Sequence, residues 1–386
     1  MKIKGKRVCI PGIFKGKHTF MVLFLWGALT LLASPKKQNP SPTLVLQSAN
    51  SNENSYINGE FISILRENVV FTYDDITIRS DEATWWRNQG IISFKDNIKV
   101  KRGSSVLSCD RMHFTKNSNQ LTANGNFHYV DTLEKTQLTG NDAVYNIDSR
   151  AFVLKGNPRM IHFDTAAADT LTITGLRMSY TDSLKIATVS DSVRITKGKM
   201  NSRCGLAHFF TDSSTAYLRK EPVINFEAHT LTGDSINLAF GEKSLRNASV
   251  IGHSHGVYID STSDGKDTAY THIWGDSLYI SVSDSMGFDS LWAFGKAQTK
   301  YYMSSSPEMV SDASGKTMLM AFESNGNVKN VKVWGNARSK YHIEEQRNRG
   351  TNEASGDSIT VTFKNGRAKI LTLVGSARGI YFPRDL

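Results

Sequence analysis

Short runs in which apolar and polar residues alternate recur along the chain from about residue 60 almost to its last residue. In Ile236-Asn-Leu238, Leu278-Tyr-Ile280, Met318-Leu-Met320 and Ile359-Thr-Val361 the first and third side chains share one face of an extended strand. The same holds for Leu291-Trp-Ala293, Val331-Lys-Val333 and Leu371-Thr-Leu373. Outside the N-terminus no long stretch has the 3.6-residue period of a helix. The pattern therefore predicts strands throughout, with no helix longer than about three turns after residue 40.

The strands come in repeats. Four copies of one phrase place a tyrosine six residues after a glycine: Gly252 to Tyr258, Gly295 to Tyr301, Gly335 to Tyr341 and Gly375 to Tyr381. Their glycines are 43, 40 and 40 residues apart. A second phrase interleaves with the first. It reads Gly233-Asp-Ser-Ile-Asn-Leu238, Gly275-Asp-Ser-Leu-Tyr-Ile280, Gly315-Lys-Thr-Met-Leu-Met320 and Gly356-Asp-Ser-Ile-Thr-Val361, with weaker forms such as Cys109-Asp-Arg-Met-His-Phe114 and Asn141-Asp-Ala-Val-Tyr145 upstream. Its first apolar residues are Ala83, Met112, Ala143, Met178, Ala207, Ile236, Leu278, Met318 and Ile359, spaced by 29 to 35 residues and, from Ile236 onward, by 40 to 42. Repetition at such a period implies stacked copies of one supersecondary unit. About nine units result, each of two alternating strands, with longer turns expected after residue 240. The chain divides accordingly into short-period repeats over 55–240 and longer-period repeats over 241–386.

Charge changes the picture only at the start of the chain. The net charge is +10, but residues 1–37 carry eight basic and no acidic side chains, leaving +2 for the rest. So balanced a body has few cations with which to release counterions from a polyanion, which argues against nucleic-acid binding. The basic start precedes an apolar run, Phe20 to Ala33, of a length that fits a secretory signal and falls short of a bilayer span. Residues 1–34 are thus expected to be a signal peptide or, if uncleaved, an N-terminal anchor. Residues 35–54, rich in Pro, Ser, Asn and Gln, are expected to be a linker.

Candidate chemistry is sparse. Gly252-His-Ser-His-Gly256 fits the G-x-S-x-G pattern of a nucleophile elbow, yet no helix follows it and its sister repeats have Ala297, Ala337 and Ala377 in place of Ser254. His253 and His255, two apart on a strand, point to one face and could begin a metal site with His272, but further ligands are not at a recognisable spacing. Gly315-Lys-Thr317 lacks the first glycine of a phosphate-binding loop, where Val310 stands. The acidic turn Asp260 to Asp267 lacks the spacing of a calcium loop. Cys109 and Cys204 occupy the same phase of repeats three apart, too far for a disulfide, and are expected to be unpaired. No carboxylate or basic cluster repeats on an outer face, as an enzyme built on stacked strands would need. No catalytic residue, metal or cofactor is expected.

Stacking the repeats lines one continuous face with apolar side chains. Such an interior is either a fully packed core or an incompletely filled track that accepts an elongated apolar ligand, and alternation does not distinguish them. The phrases themselves resemble a known family. Ser80-Asp-Glu-Ala-Thr-Trp-Trp86, followed by the glycine-asparagine phrases Leu121-Thr-Ala-Asn-Gly-Asn-Phe127, Leu154-Lys-Gly-Asn157 and Val333-Trp-Gly-Asn336, is similar to the OstA-like, LptA-type lipopolysaccharide-transport proteins. The resemblance spans about residues 57–382. It implies an all-β, elongated β-jellyroll of stacked antiparallel strands that holds lipid A acyl chains in an apolar groove, without enzymatic activity. It implies a periplasmic protein bridging the inner and outer membranes between a membrane-anchored LptC-like jellyroll and an outer-membrane LptD-like one, with head-to-tail self-association also open. On this reading Met112, Phe114, Tyr145, Ile236, Leu238, Leu278, Ile280, Met318 and Val333 line the lipid groove. Strands near Phe61 to Thr72 and Lys369 to Phe382 are the expected docking edges. An LptC-like anchored member of the same pathway and a structural surface repeat with a filled core are the alternatives.

The repeat alignment makes Ser254 a structural position. Ser254→Ala is expected to leave folding and function intact, with a stability change within about 0.5 kcal/mol by thermal or urea unfolding; loss of function without loss of fold would restore the hydrolase reading.

Overall fold

Near the middle of every second strand, two consecutive residues adopt the left-handed conformation and turn the chain through a corner. The pairs include Glu67 and Asn68, Asp96 and Asn97, Gly125 and Asn126, Gly252 and His253, Gly295 and Lys296, and Gly335 and Asn336. Both residues drop out of the ladder with the neighbouring strands, so that Arg66 and Val69, for example, are consecutive in the pairing with the next strand. A two-residue bulge of this kind bends and twists the strand sharply. Repeated in register, the corners fold one ladder into two facing layers.

This computed structural model describes residues 44–164, 169–241, 245–261, 267–282, 288–324, 326–345, 348–364 and 367–383. The expected signal or anchor, residues 1–34, lies outside them. The described residues form one all-β, antiparallel sheet of 26 strands, an elongated jellyroll. No helix among them is long and apolar enough to cross a membrane.

Each layer has an inward row that can be followed from strand to strand. In the first layer Leu65, Ala83, Phe94, Met112, Ala123, Ala143 and Leu154 are successive cross-strand partners. Beyond them Met178, Val189, Ala207, Leu218 and Ile236 continue the row. It then runs through Val250, Leu278, Ala293, Met318, Val333 and Ile359. All nine residues aligned from sequence are on it, and all nine are buried. In the second layer the row begins Phe71, Ile78, Val100, Leu107 and Tyr129. It ends with much smaller side chains, Thr299, Ala313, Ser339 and Ala354.

The layers pack face to face. Phe71 of the second layer lies edge-on to Phe94 of the first, ring centroids 5.4 Å apart. Further along, a Cβ on Gly256 would meet the Leu278 side chain at 3.7 Å. Large residues in one layer thus face small ones in the other, the complementarity that native packing density requires.

The two sequence phrases meet at the corner. Asp276 of one strand lies over Gly295 of the next, so close that a Cβ there would stand 2.2 Å from Asp276 Oδ2. Asp234 over Gly252 and Asp357 over Gly375 repeat the arrangement. The backbone N–H groups of Asp234 and Asp357 also donate to the carbonyls of those glycines, at 2.9 and 2.8 Å. In two repeats the second corner residue is an asparagine whose amide donates to the opposing aspartate, Asn97 to Asp81 at 2.6 Å and Asn126 to Asp110 at 2.9 Å. At Gly252, Gly295 and Gly375 glycine supplies both the positive φ and the bare space beneath the carboxylate.

Three expectations change. The longer period after residue 240 comes from longer strands as well as their connections: Gln120–Asp131 has 12 residues and Thr136–Asn146 has 11, against 17 in Leu245–Ser261 and 18 in Val328–Glu345. On the straight strand opposite each bulge the inward phase shifts, as between Ile273 and Leu278, so a single long strand looks in sequence like two strands and a turn. Next, Val45–Ser48 and Ser51–Ile57 are strands, partly within the stretch whose composition suggested a linker. They pair with the two halves of Glu60–Tyr73, so the expected docking edge at Phe61 to Thr72 is covered and the outer edge belongs to residues 45–57. Polar composition concealed them because an edge strand needs backbone partners more than buried side chains.

Gly295→Ala is expected to cost about 1–3 kcal/mol, from the left-handed backbone and the carboxylate clash together. Asp276→Ala in the same chain should recover the clash. Hydrogen exchange at residues 297–299 measures the local effect, and unchanged protection would show the corner to be soft.

Candidate functional site

Between the two layers, in the stretch 160–240, the interior is incompletely filled. A cavity of ≈ 80 Å³ lies there, walled by Met160, Ile173 and Ile195 of the second layer and Met178, Val189 and Leu218 of the first. The strands are shortest in this region. Ala151–Lys155 and Arg159–Asp164 are two pieces of one strand separated at its corner, as are Thr215–Arg219 and Val223–Phe226. The cavity is roughly half the size of the ~150 Å³ void that takes a benzene molecule. Longer hydrocarbon would need the layers to part. Methionine is the residue best able to permit that, because its unbranched side chain repacks at little cost.

The cavity has two polar features. Ser202 lines it from the second-layer row, between its partners Ile195 and Ile224. The residue is 1% exposed, and its Oγ has no hydrogen-bond partner. Lys197, half-buried, lines the cavity one inward position nearer the free margin, where its partners are Leu171 and Met200. Opposite that margin Leu238 and Phe240 bound the cavity from the first layer.

The same margin, followed toward the C-terminus, carries the repeat tyrosines. Residues two, four and six places after the corner glycine all face inward. Ser254, Ala297 and Ala337 come first, then Gly256, Thr299 and Ser339, then Tyr258, Tyr301 and Tyr341. Tyr258 crosses the margin, donating to the Gly326 carbonyl at 2.9 Å and packing on Phe288 and Phe322. Burial, and then the Asp260 charge, push its phenol up to about 12, so it remains a donor. Toward the N-terminus the margin is polar. Asp131, 3% exposed, accepts hydrogen bonds from the Ser104 and Ser105 hydroxyls and from the backbone of Leu133 and Glu134. Burial raises its pKa, but those bonds outweigh it and hold the carboxyl below the ordinary range.

Of the groove residues expected from sequence, Met112, Ile236, Leu278, Met318 and Val333 lie on the first-layer inward row, and Leu238 and Ile280 one position nearer the margin. Leu238 is the one that also lines the cavity. Phe114 is half-buried beside Tyr73 across the margin, 6.4 Å between centroids. Tyr145 sits in a satellite cluster with Tyr180 and Ala187, its hydroxyl buried without a partner and its pKa pushed by burial up to about 12. Sequence reasoning missed Met160, Lys197, Met200 and Ser202. The alternation Met200-x-Ser202-x-Cys204 held a signal, a hydroxyl in an otherwise apolar phase, but its neighbours across the interior come from other repeats.

The rejected chemistry has a structural explanation. Ser254 is buried with Oγ donating to the Asp276 carbonyl at 3.4 Å, and a strand continues on both sides of it. His253 is the second corner residue, and its left-handed backbone (φ 43) takes it out of the extended alternation that would pair it with His255. His253 is exposed against Asp234 at 3.0 Å. His255 lies on the outer face, stacked on Trp274, its Nε2 3.1 Å from His272 Nδ1. The described residues hold no cluster of three or more metal-binding side chains. Cys109 and Cys204 are free and buried, and burial pushes their thiols up to about 12 and about 11, far from the reactive thiolate range.

Residues 77–180 match the family described as LptA/(LptD N-terminal domain) LPS transport protein. A solved structure, LptH, the LptA-homologous periplasmic component of the lipopolysaccharide transport device of Pseudomonas aeruginosa, aligns over 28% of this chain and 76% of its own, at 14% identity and a TM-score of 0.26. No curated protein sequence matches the chain.

The outer histidine pair gives a pH prediction. Burial, then the neighbouring His272, lowers the pKa of His255; burial, then Lys300, lowers that of His272. Groups depressed from an ordinary value of 6.5 contribute their full stability above that pH and lose it as pH falls through the folded value. The thermal midpoint is therefore expected to fall between pH 7 and 5, well above the carboxylate range. In His255→Phe, which keeps the stack on Trp274, the fall should be smaller; an equal fall would exclude this pair as its source.

Proposed function

We propose, on the match of residues 77–180 to the LptA/(LptD N-terminal domain) LPS transport family, that the chain binds lipopolysaccharide in the periplasm and carries it between the inner and outer membranes. Acyl chains of lipid A would enter between the layers, and the observation that carries this reading is the methionine-walled cavity on the continuous inward rows. The action is physical and needs no catalytic group. Transferring hydrocarbon from water to an apolar surface is worth about 25 cal/mol per Å², so an unbroken apolar track lowers the cost of carrying it, and direction comes from an energy source elsewhere.

The expected groove residues contribute in two ways. Leu238 touches the cavity directly. Met112, Ile236, Leu278, Ile280, Met318 and Val333 extend the same surface, with Phe114 and Tyr145 toward the N-terminal margin. Over 151–240 short, interrupted strands leave room between the layers, and from Leu245 onward the strands are longer and continuous through their corners. Whether the chain instead works as an LptC-like anchored member depends on residues 1–34, and the mass of the mature protein separates the two.

Docking to LptC-like and LptD-like jellyrolls, or to a second copy, would use the two end edges. At the C-terminal end Ile370, Val374, Ile380 and Phe382 are exposed. Among the described residues no strand pairs with the outer edges of Arg367–Val374 and Arg378–Pro383. An apolar edge with unsatisfied backbone groups is suited to strand addition.

Photo-crosslinkers at Met178, Leu238 and Leu278 are expected to capture lipopolysaccharide, and those at the outward Asn237 and Tyr279 are not. Equal capture on both faces would leave only a structural core. Leu373→Pro should weaken pull-down of a jellyroll partner while the upstream fold persists, and full retention of binding would exclude the C-terminal edge.

A further inference from the structure

We propose that Ser202 and Lys197 make the cavity selective for an acyl chain that has an acidic group at the margin and an oxygen substituent part way along its length. This deepens the transport reading and rests on it for the idea that a lipid occupies the interior. The observation behind it is independent of any family. A hydroxyl buried in an apolar wall with no partner carries a cost comparable to losing a hydrogen bond, and alanine or valine would fill the same place without it.

Three other inward hydroxyls of the second layer are satisfied by the protein. Thr299 donates to the His272 carbonyl at 2.9 Å, and Ser254 donates to the Asp276 carbonyl. Thr136 donates to the Glu134 carbonyl at 3.1 Å. Ser202 departs from that pattern at the place where the interior is open. Water is a poor substitute partner, because a buried water needs two to four polar contacts, and the surrounding wall is formed by Ile173, Ile195, Leu218 and methionines. An oxygen borne by a hydrocarbon chain needs only the one contact, since the rest of the chain is content against that wall.

Lys197 sets the direction. Its position in the ladder is two residues beyond Ile195, the partner of Ser202, which puts it about 7 Å nearer the margin at the rise of a strand. A carboxylate or phosphate held there leaves the chain running inward past Ser202. The methionines Met160, Met178 and Met200 can then repack around the remaining carbons.

The test uses the full exported chain and a panel of tetradecanoic acids: unsubstituted, monohydroxylated at successive carbons, and the methyl ester of the unsubstituted acid, each titrated calorimetrically. One hydroxylated member is expected to bind about three- to tenfold tighter than the unsubstituted acid, the worth of one hydrogen bond. Ser202→Ala should abolish that preference without weakening the unsubstituted acid, and Ser202→Thr should keep it. Lys197→Gln should weaken all the acids by a similar factor and leave the ester unchanged. Thermal unfolding checks that each variant folds. A flat hydroxyl series in the unmodified chain, or a preference that survives Ser202→Ala, overturns the proposal. If no acid binds while a crosslinker at Met178 still captures lipopolysaccharide, this inference fails and the transport reading stands. The reverse result retains the acyl site and removes the transport reading.

Discussion

The jellyroll depends on the left-handed corner. Ten successive turns of the ladder, from Glu67 and Asn68 to Gly375 and Ser376, carry two adjacent residues with positive φ. Each takes two residues out of pairing and tips the second half of the strand over the first. Without the corners the same strands would continue as a single open sheet with its apolar face in water. In several repeats an aspartate of the neighbouring strand caps the corner from above, so the geometry of each unit is fixed partly by the next. Coupling of this nearest-neighbour kind is the expected energetic structure of a repeat protein.

Once the strands are folded over, packing requires the two inward rows to be complementary. In the second layer the row shrinks from Phe71 and Tyr129 to Thr299, Ala313 and Ser339, while the first layer keeps Leu278, Met318 and Ile359. At the C-terminal end large first-layer side chains thus face small second-layer ones. In the middle of the chain the match lapses, because strands are interrupted at their corners and flexible methionines take the place of branched side chains. The cavity therefore occurs where the repeat is least regular.

Charge is kept to the outside and the margins. The inward rows hold no Lys, Arg, Asp or Glu, and Asp131, buried at the margin, is held ionised by four hydrogen-bond donors. A dry track free of fixed charge does not trap a hydrocarbon at one point along its length. The one cation that reaches the cavity, Lys197, stands at its entrance.

The sequence by itself determined strand identity, repeat period and the inward phase: Ala83 through Ile359, nine positions aligned on the first apolar residue of one phrase, are all buried on one row. Period-two alternation is a local property, and solvent enforces it residue by residue. The phrases Gly-Asp-Ser and Gly-Asn were also legible as repeats, but their meaning was not. Only the folded ladder brings Asp276 over Gly295 or puts His253 on a corner, where the left-handed backbone departs from the extended conformation that alternation assumes. Nor could the sequence tell that residues 45–57 pair as strands, or that the open interior lies at 160–240. Those outcomes depend on which side chains from distant repeats face one another across the layers, and that choice is made by tertiary packing.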